Sequence, residues 1–122
     1  MVEYQSSVSI IIPLRNEKKY ITRCLDKVLA QDYPPELIEI ICVDGLSDDG
    51  TRQMLETYAA RHGRFKILDN PQRIVPTAMN LGIRASSGQI IIRVDARSFI
   101  APDYVSKIVY HLQRTQAAGV GG

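Results

Sequence analysis

Short apolar runs alternate with amphipathic stretches along this chain, and the alternation repeats four times. Residues 8–12, β-branched except for Ser9, form a run closed by Pro13, which predicts a buried first strand. Asn16 is placed to cap the following helix, with Glu17 in its first turn. Ile21, Cys24, Leu25, Val28 and Leu29 then recur at the spacing of one helix face, and Tyr33-Pro34-Pro35 ends it. A second strand is predicted over residues 38–43. Ser47, Asp48 and Asp49 offer caps for a helix with Met54, Leu55, Tyr58 and Ala59 on its inner face.

Gly63 stops that helix, and a third short strand over residues 65–68 runs into Asp69-Asn70-Pro71. The next helix begins near Pro76, where a first-turn proline is tolerated, and continues through Ala78, Met79, Gly82 and Ile83 to Ser86-Ser87-Gly88. The fourth strand spans residues 89–94. A last helix starts around Pro102-Asp103 with Val105, Ile108, Val109 and Leu112 on one face, and residues 117–122 add no further element. Four strand–helix alternations predict an α/β fold: a Rossmann-like, mostly parallel sheet with right-handed crossovers and helices on its faces. No repeat, low-complexity segment or linker divides it.

Composition narrows the function. At 122 residues, 45% hydrophobic and 23% charged, the chain suits one ordinary globular unit. A net charge of +2 without a basic run gives no footprint for nucleic acid. No apolar stretch approaches the roughly 18–20 residues of a membrane span. The N-terminus lacks a signal-peptide pattern, so the cytoplasm is the expected location. Cys24 and Cys42 read as small buried hydrophobes, and His62 and His111 stand apart from any metal-ligand spacing.

Chemistry is expected where strands deliver acids. The second strand ends in Asp44 and the fourth in Asp95, so both carboxylates fall on the rim where open α/β sheets bind ligands. Strand-end acids can bind a cation, accept hydrogen bonds from a base or sugar, or cap helices; Asp48 and Asp49 fit capping. The turn after the first strand, Pro13-Leu14-Arg15-Asn16-Glu17, has no glycine, which excludes a dinucleotide fingerprint. There is no P-loop and no nucleophile elbow, and the acid pair and late lysine of a receiver domain are missing.

Four motifs in order carry a resemblance: Ser9-Ile10-Ile11-Ile12-Pro13-x-x-Asn16-Glu17, Val43-Asp44-Gly45-x-Ser47-x-Asp49-Gly50-Thr51, Ala78-x-Asn80-x-Gly82, and Asp95 after a strand. Over residues 8–122 the chain resembles the family 2 glycosyltransferases, inverting enzymes of GT-A type that use nucleotide sugars. Asp69-Asn70-Pro71-x-Arg73 and Arg93-Val94-Asp95-Ala96 look most like the subgroup that builds bacterial exopolysaccharides such as succinoglycan. The resemblance implies a donor, expected to be a UDP-sugar, for transfer to a polysaccharide or lipid-linked acceptor. It also implies a cytoplasmic enzyme, either free or peripheral at the inner face of the membrane in full-length form.

By the same resemblance, Asp44 would present an exposed carboxylate to the imide N–H of uracil. Pro13, Leu14, Arg15, Asn16 and Glu17 would wall the base and ribose site, and Arg73 would reach the base or phosphates. Asn80-x-Gly82 would set a helix close to the sheet beside the nucleotide. Asp95 would take the first position of an Asp-x-Asp metal motif for Mg²⁺ or Mn²⁺.

Two departures from the family pattern follow. Arg97 stands where relatives carry Asp or His, and a guanidinium has no acceptor with which to ligate a metal. Either Asp95 holds the ion with waters and substrate oxygens, or Arg97 neutralises the phosphates itself. The family's catalytic base falls beyond residue 122, so residues 1–122 are expected to be the donor-binding half of a domain, inactive alone. Without the acceptor half, Ile90, Ile92 and Val94 would be exposed and would favour a homodimer through the fourth strand. The alternative is a non-catalytic nucleotide-binding or self-associating remnant of the same fold.

Overall fold

A computed structural model describes residues 6–115. The elements in chain order are β1 (Val8–Leu14), α1 (Ile21–Leu29), a 3-10 turn (Pro35–Leu37), β2 (Ile38–Asp44), α2 (Thr51–Arg61), β3 (Phe65–Asp69), α3 (Val75–Ala85), β4 (Ile90–Arg93) and α4 (Tyr104–Thr115). The strands form one parallel sheet in the order β3-β2-β1-β4. The expected α/β architecture is present. The segment 117–122, read as adding no element, lies outside the described residues.

Hydrophobic pattern and sheet position agree strand by strand. Every residue of β1 and β2 is buried, as continuous apolar runs require of central strands covered on both faces. The edge strands β3 and β4 mix buried and exposed positions. One face of the sheet carries Ile10, Ile12, Ile40 and Cys42 against Leu25 of α1, Leu55 of α2 and Val105 of α4. On the other face Ile11, Ile41 and Val43 pack with Ala78 of α3.

Three expectations are corrected. Pro13 does not end β1, which runs on to Leu14. The Leu14 carbonyl faces β2, where it accepts from Gly45 N at 2.8 Å, so Pro13 faces the β4 side. There the ladder has already ended at Ile11↔Arg93, and no N–H is needed. Asn16 does not cap α1, which begins at Ile21 after a turn in which the Glu17 carbonyl accepts from Tyr20 and Ile21.

The third correction concerns the fourth strand. Ile92 and Val94 are buried, and Ile90 packs against the same core as Val105 and Val109 of α4. The surface from which self-association was expected is therefore used internally. Its alternate residue, Ile91, is the exposed one. Gln31 helps seat α4: its Oε1 accepts from Val105 N at 2.9 Å, and its Nε2 donates to the Ala101 carbonyl at 2.7 Å.

Opposite the strand ends that carry the acids, Glu39 is buried beneath the α3–β4 connection. It accepts from Ser9 Oγ at 2.6 Å, Ser87 N at 2.7 Å, Ser87 Oγ at 3.1 Å and Lys66 Nζ at 3.1 Å. Burial pushes its pKa up, but these four donors outweigh that and hold it at about 2.

Candidate functional site

The C-terminal ends of β1, β2 and β3 and the segment following β4 share one rim, and their loops are bonded to one another before any ligand is considered. Asn16 N donates to Ser47 Oγ at 2.8 Å, and Asn16 Oδ1 accepts from Asp48 N at 2.8 Å. Glu17 N donates to Thr51 Oγ1 at 3.0 Å, and Lys18 N to Asp49 Oδ2 at 3.3 Å. Arg15 Nε donates to the Gly45 carbonyl at 2.9 Å. The loop after β1 is thus fastened to the loop after β2. Asp49 also accepts from Thr51 N at 3.0 Å in a local turn, but it does not cap α2 as expected: Gly50 holds the N-cap and no side chain caps it. Asp48 instead faces Arg15 at 4.0 Å.

Asp44 anchors this rim from below. It is 1% exposed, which corrects the expectation of an exposed carboxylate. Its Oδ1 accepts from Ser47 N at 3.1 Å and Ser47 Oγ at 2.6 Å, and its Oδ2 lies 3.5 Å from Arg52. Arg52 also pairs with Asp69, the register partner of Asp44 on β3. A turn follows β3, closed by Arg73 N donating to the Asn70 carbonyl at 3.0 Å. The buried Asn70 side chain donates to the Ile74 carbonyl at 2.9 Å and accepts from Thr77 Oγ1 at 2.9 Å, fixing the start of α3. Asn16, Leu46 and Arg73 have left-handed backbones, with φ of 54°, 61° and 63°. Each lies in one of these three rim loops, and such outliers gather where surrounding structure fixes a site.

Between the loops lies a cleft of about 340 Å³. Of the residues expected there, Pro13, Leu14, Arg15, Glu17, Arg73 and Asp95 line it; Asn16, Asp44 and Asn80 do not. Asn16 works in the loop junction and Asn80 is exposed on α3. Gly82 does set α3 close to the sheet, since a Cβ there would lie 2.6 Å from Ile11 Cγ2. Sequence reasoning assigned no site role to Asn70, Ile74, Val75, Ala78, Arg93 or Ala96, which complete the lining together with Arg97. One signal was available: Ile74 and Val75 are apolar yet precede the buried face of α3, and both are exposed.

The cleft is basic. Four arginines (Arg15, Arg73, Arg93 and Arg97) face two carboxylates, Glu17 and Asp95. Arg93 donates twice to Asp95 Oδ1, at 3.2 and 3.0 Å, and Arg97 Nε donates to Glu17 Oε1 at 2.9 Å. The Glu17 carboxylate raises the pKa of Arg97. The Arg73 side chain makes no hydrogen bond or ion pair among the described residues, so its guanidinium is available to an anion. The divalent cation implied by the resemblance fits this donor set poorly. Both acids are engaged by guanidinium groups, and no group of three or more His, Cys, Asp or Glu surrounds a common point among the described residues. Nor is any helix among them long and apolar enough to cross a membrane.

Known proteins resemble this chain in sequence and in fold. The sequence model of glycosyl transferase family 2 matches residues 9–122. A Methanococcus voltae protein is 37% identical over 122 residues, spanning 94% of this chain and 38% of its own length. Its name is dolichyl N-acetyl-alpha-D-glucosaminyl phosphate 3-beta-D-2,3-diacetamido-2,3-dideoxy-beta-D-glucuronosyltransferase. Succinoglycan biosynthesis protein ExoA of Rhizobium meliloti (strain 1021) is 32% identical over 117 residues, spanning 94% of this chain and 35% of its own. Among solved structures, mannosyltransferase PcManGT from Pyrobaculum calidifontis, in complex with GDP-Man and Mn²⁺, superposes with a TM-score of 0.83 at 30% identity. That match covers 89% of this chain and 33% of the mannosyltransferase. The chain therefore spans little more than a third of the length of these relatives.

Proposed function

This chain belongs to glycosyl transferase family 2, and on that premise we propose that its rim cleft binds the nucleotide-diphosphate part of a sugar donor. The observation that carries the reading is the cleft's composition: an apolar wall from Pro13, Leu14, Ile74, Val75 and Ala78 beside four arginines. Apolar surface suits a base and ribose, and guanidinium forks suit a diphosphate. The base is uracil in this reading, as the resemblance implies, with Asp44 acting indirectly. Its carboxylate holds Ser47, whose hydroxyl accepts from Asn16 N and so fastens the loop after β1 that lines the cleft.

For the whole protein we propose transfer of the sugar to a lipid-linked or polysaccharide acceptor, in keeping with the names of the relatives. The 122 residues contribute donor binding and do not transfer sugar alone. A base must accept the acceptor hydroxyl's proton, and the resemblance gives that part to neither Glu17 nor Asp95.

Calorimetric titration of UDP, with GDP as comparison, tests the reading. UDP should bind, and Arg73→Ala should weaken it by about tenfold or more, the loss of a charge-assisted contact. Because Arg73 is exposed, the variant should melt with the parent. Failure of both nucleotides to bind at millimolar concentration would remove the proposal.

A further inference from the structure

We propose that Arg97 exchanges Glu17 for the donor's diphosphate, so that nucleotide binding in this cleft is carried by guanidinium groups and needs no divalent cation. The inference rests on the donor reading above and adds the means by which the phosphate charge is met.

Arg97 is held in a way that permits the exchange. Its side chain is 67% exposed, its Nε meets Glu17 Oε1 at 2.9 Å, and its guanidinium lies 5.1 Å from the centre of the Tyr20 ring. An exposed pair of this kind is a weak tether, because water competes for both partners and salt screens them. A diphosphate offers several anionic oxygens and accepts a planar fork through two hydrogen bonds at once. Glu17 thus serves as a resting place for Arg97 at the mouth of the cleft.

The same geometry works against a cation. To reach Asp95 Oδ1, a metal would have to displace Arg93 and remain among four guanidinium charges. A diphosphate entering the same space meets those charges with opposite sign. The sequence position from which a second metal ligand would come is occupied by the group that replaces it.

Titration of UDP into the 122-residue chain, in EDTA and in Mn²⁺, tests this, with circular dichroism melts to establish that each variant is folded. The parent should bind in EDTA within about threefold of its affinity in Mn²⁺. Arg97→Gln should lose about tenfold or more in EDTA. Glu17→Gln, which frees Arg97, should bind more tightly than the parent in EDTA, a gain that a merely structural pair would not give. Parent binding abolished by EDTA, or an Arg97→Gln variant unchanged there, overturns the inference while leaving the donor reading standing. An equal loss in Glu17→Gln and Arg97→Gln does the same. Absence of UDP and GDP binding in both buffers overturns the donor reading, and this inference with it.

Discussion

Glu39→Gln should destabilise the fold near pH 7 and remove a defined part of its pH dependence. In the native chain all four partners of the Glu39 carboxylate are donors. Ser9 and Ser87 converge on Oε2 while Lys66 meets Oε1, so a glutamine that keeps its oxygen on the serines turns its NH₂ against the Lys66 ammonium and removes the charge that all four donors stabilise. The magnitude follows from the pKa. Glu39 is held at about 2, against 4.5 for an ordinary glutamate. At about 1.4 kcal/mol per unit, the difference is worth on the order of 3 kcal/mol. The folded-state pKa is the lower one, so this stabilisation is complete above about pH 5 and is lost as pH falls through 4.5 toward 2.

Urea unfolding of parent and variant between about pH 7 and pH 3 measures it, and the difference between the two chains cancels the other carboxylates. The gap should be on the order of 3 kcal/mol near pH 7 and narrow by about 2 kcal/mol by pH 3. A variant as stable as the parent near neutrality, or a gap that does not change with pH, would refute the reasoning.

Two further outcomes concern packing. Gly82→Ala should destabilise by about 1–3 kcal/mol in the same assay, because the new Cβ meets the stiff, fully buried branch of Ile11 at 2.6 Å. Cys24 and Cys42 should resist a thiol reagent near pH 8 in the folded chain and react once it is unfolded in urea. Burial, followed by the Asp95 charge, pushes the Cys24 thiol up to about 11; burial, with Cys24 and Asp44 adding, pushes Cys42 up as well.

Elements were more legible in the sequence than contacts. The apolar runs at residues 10–12 and 40–43 identified β1 and β2 as buried strands, because burial on both faces leaves no polar alternation within them. Asn16 was misread as a cap because a cap is the nearest use for an asparagine. Its partners Ser47 and Asp48 lie 31 and 32 residues away, and only the β1–β2 pairing brings them close. Asp44 was legible as a strand end, but not its burial, which depends on Ser47 folding back over it and Arg52 reaching up from α2. On β4 the alternation groups Ile90, Ile92 and Val94 on one face, while α4, supplied later in the chain, decides that this face is covered. Arg15, Glu17, Arg73 and Asp95 reach the rim cleft because each sits at a strand-end loop, where parallel topology alone fixes the rim.

The bonds between the first two rim loops also act on the sheet beneath them. A parallel strand can slide by two residues and still keep its apolar side chains on the proper faces, so burial alone discriminates weakly between β1–β2 alignments two residues apart. In the observed alignment Leu14 stands opposite Asp44, and only there do Asn16, Glu17 and Lys18 meet Ser47, Thr51 and Asp49. A shift by two residues, about 6–7 Å along the strand, would break all of these hydrogen bonds together. The loop after β1, which lines the cleft, and the loop after β2 that fastens it therefore work as a vernier, selecting the single strand alignment in which the cleft itself can form.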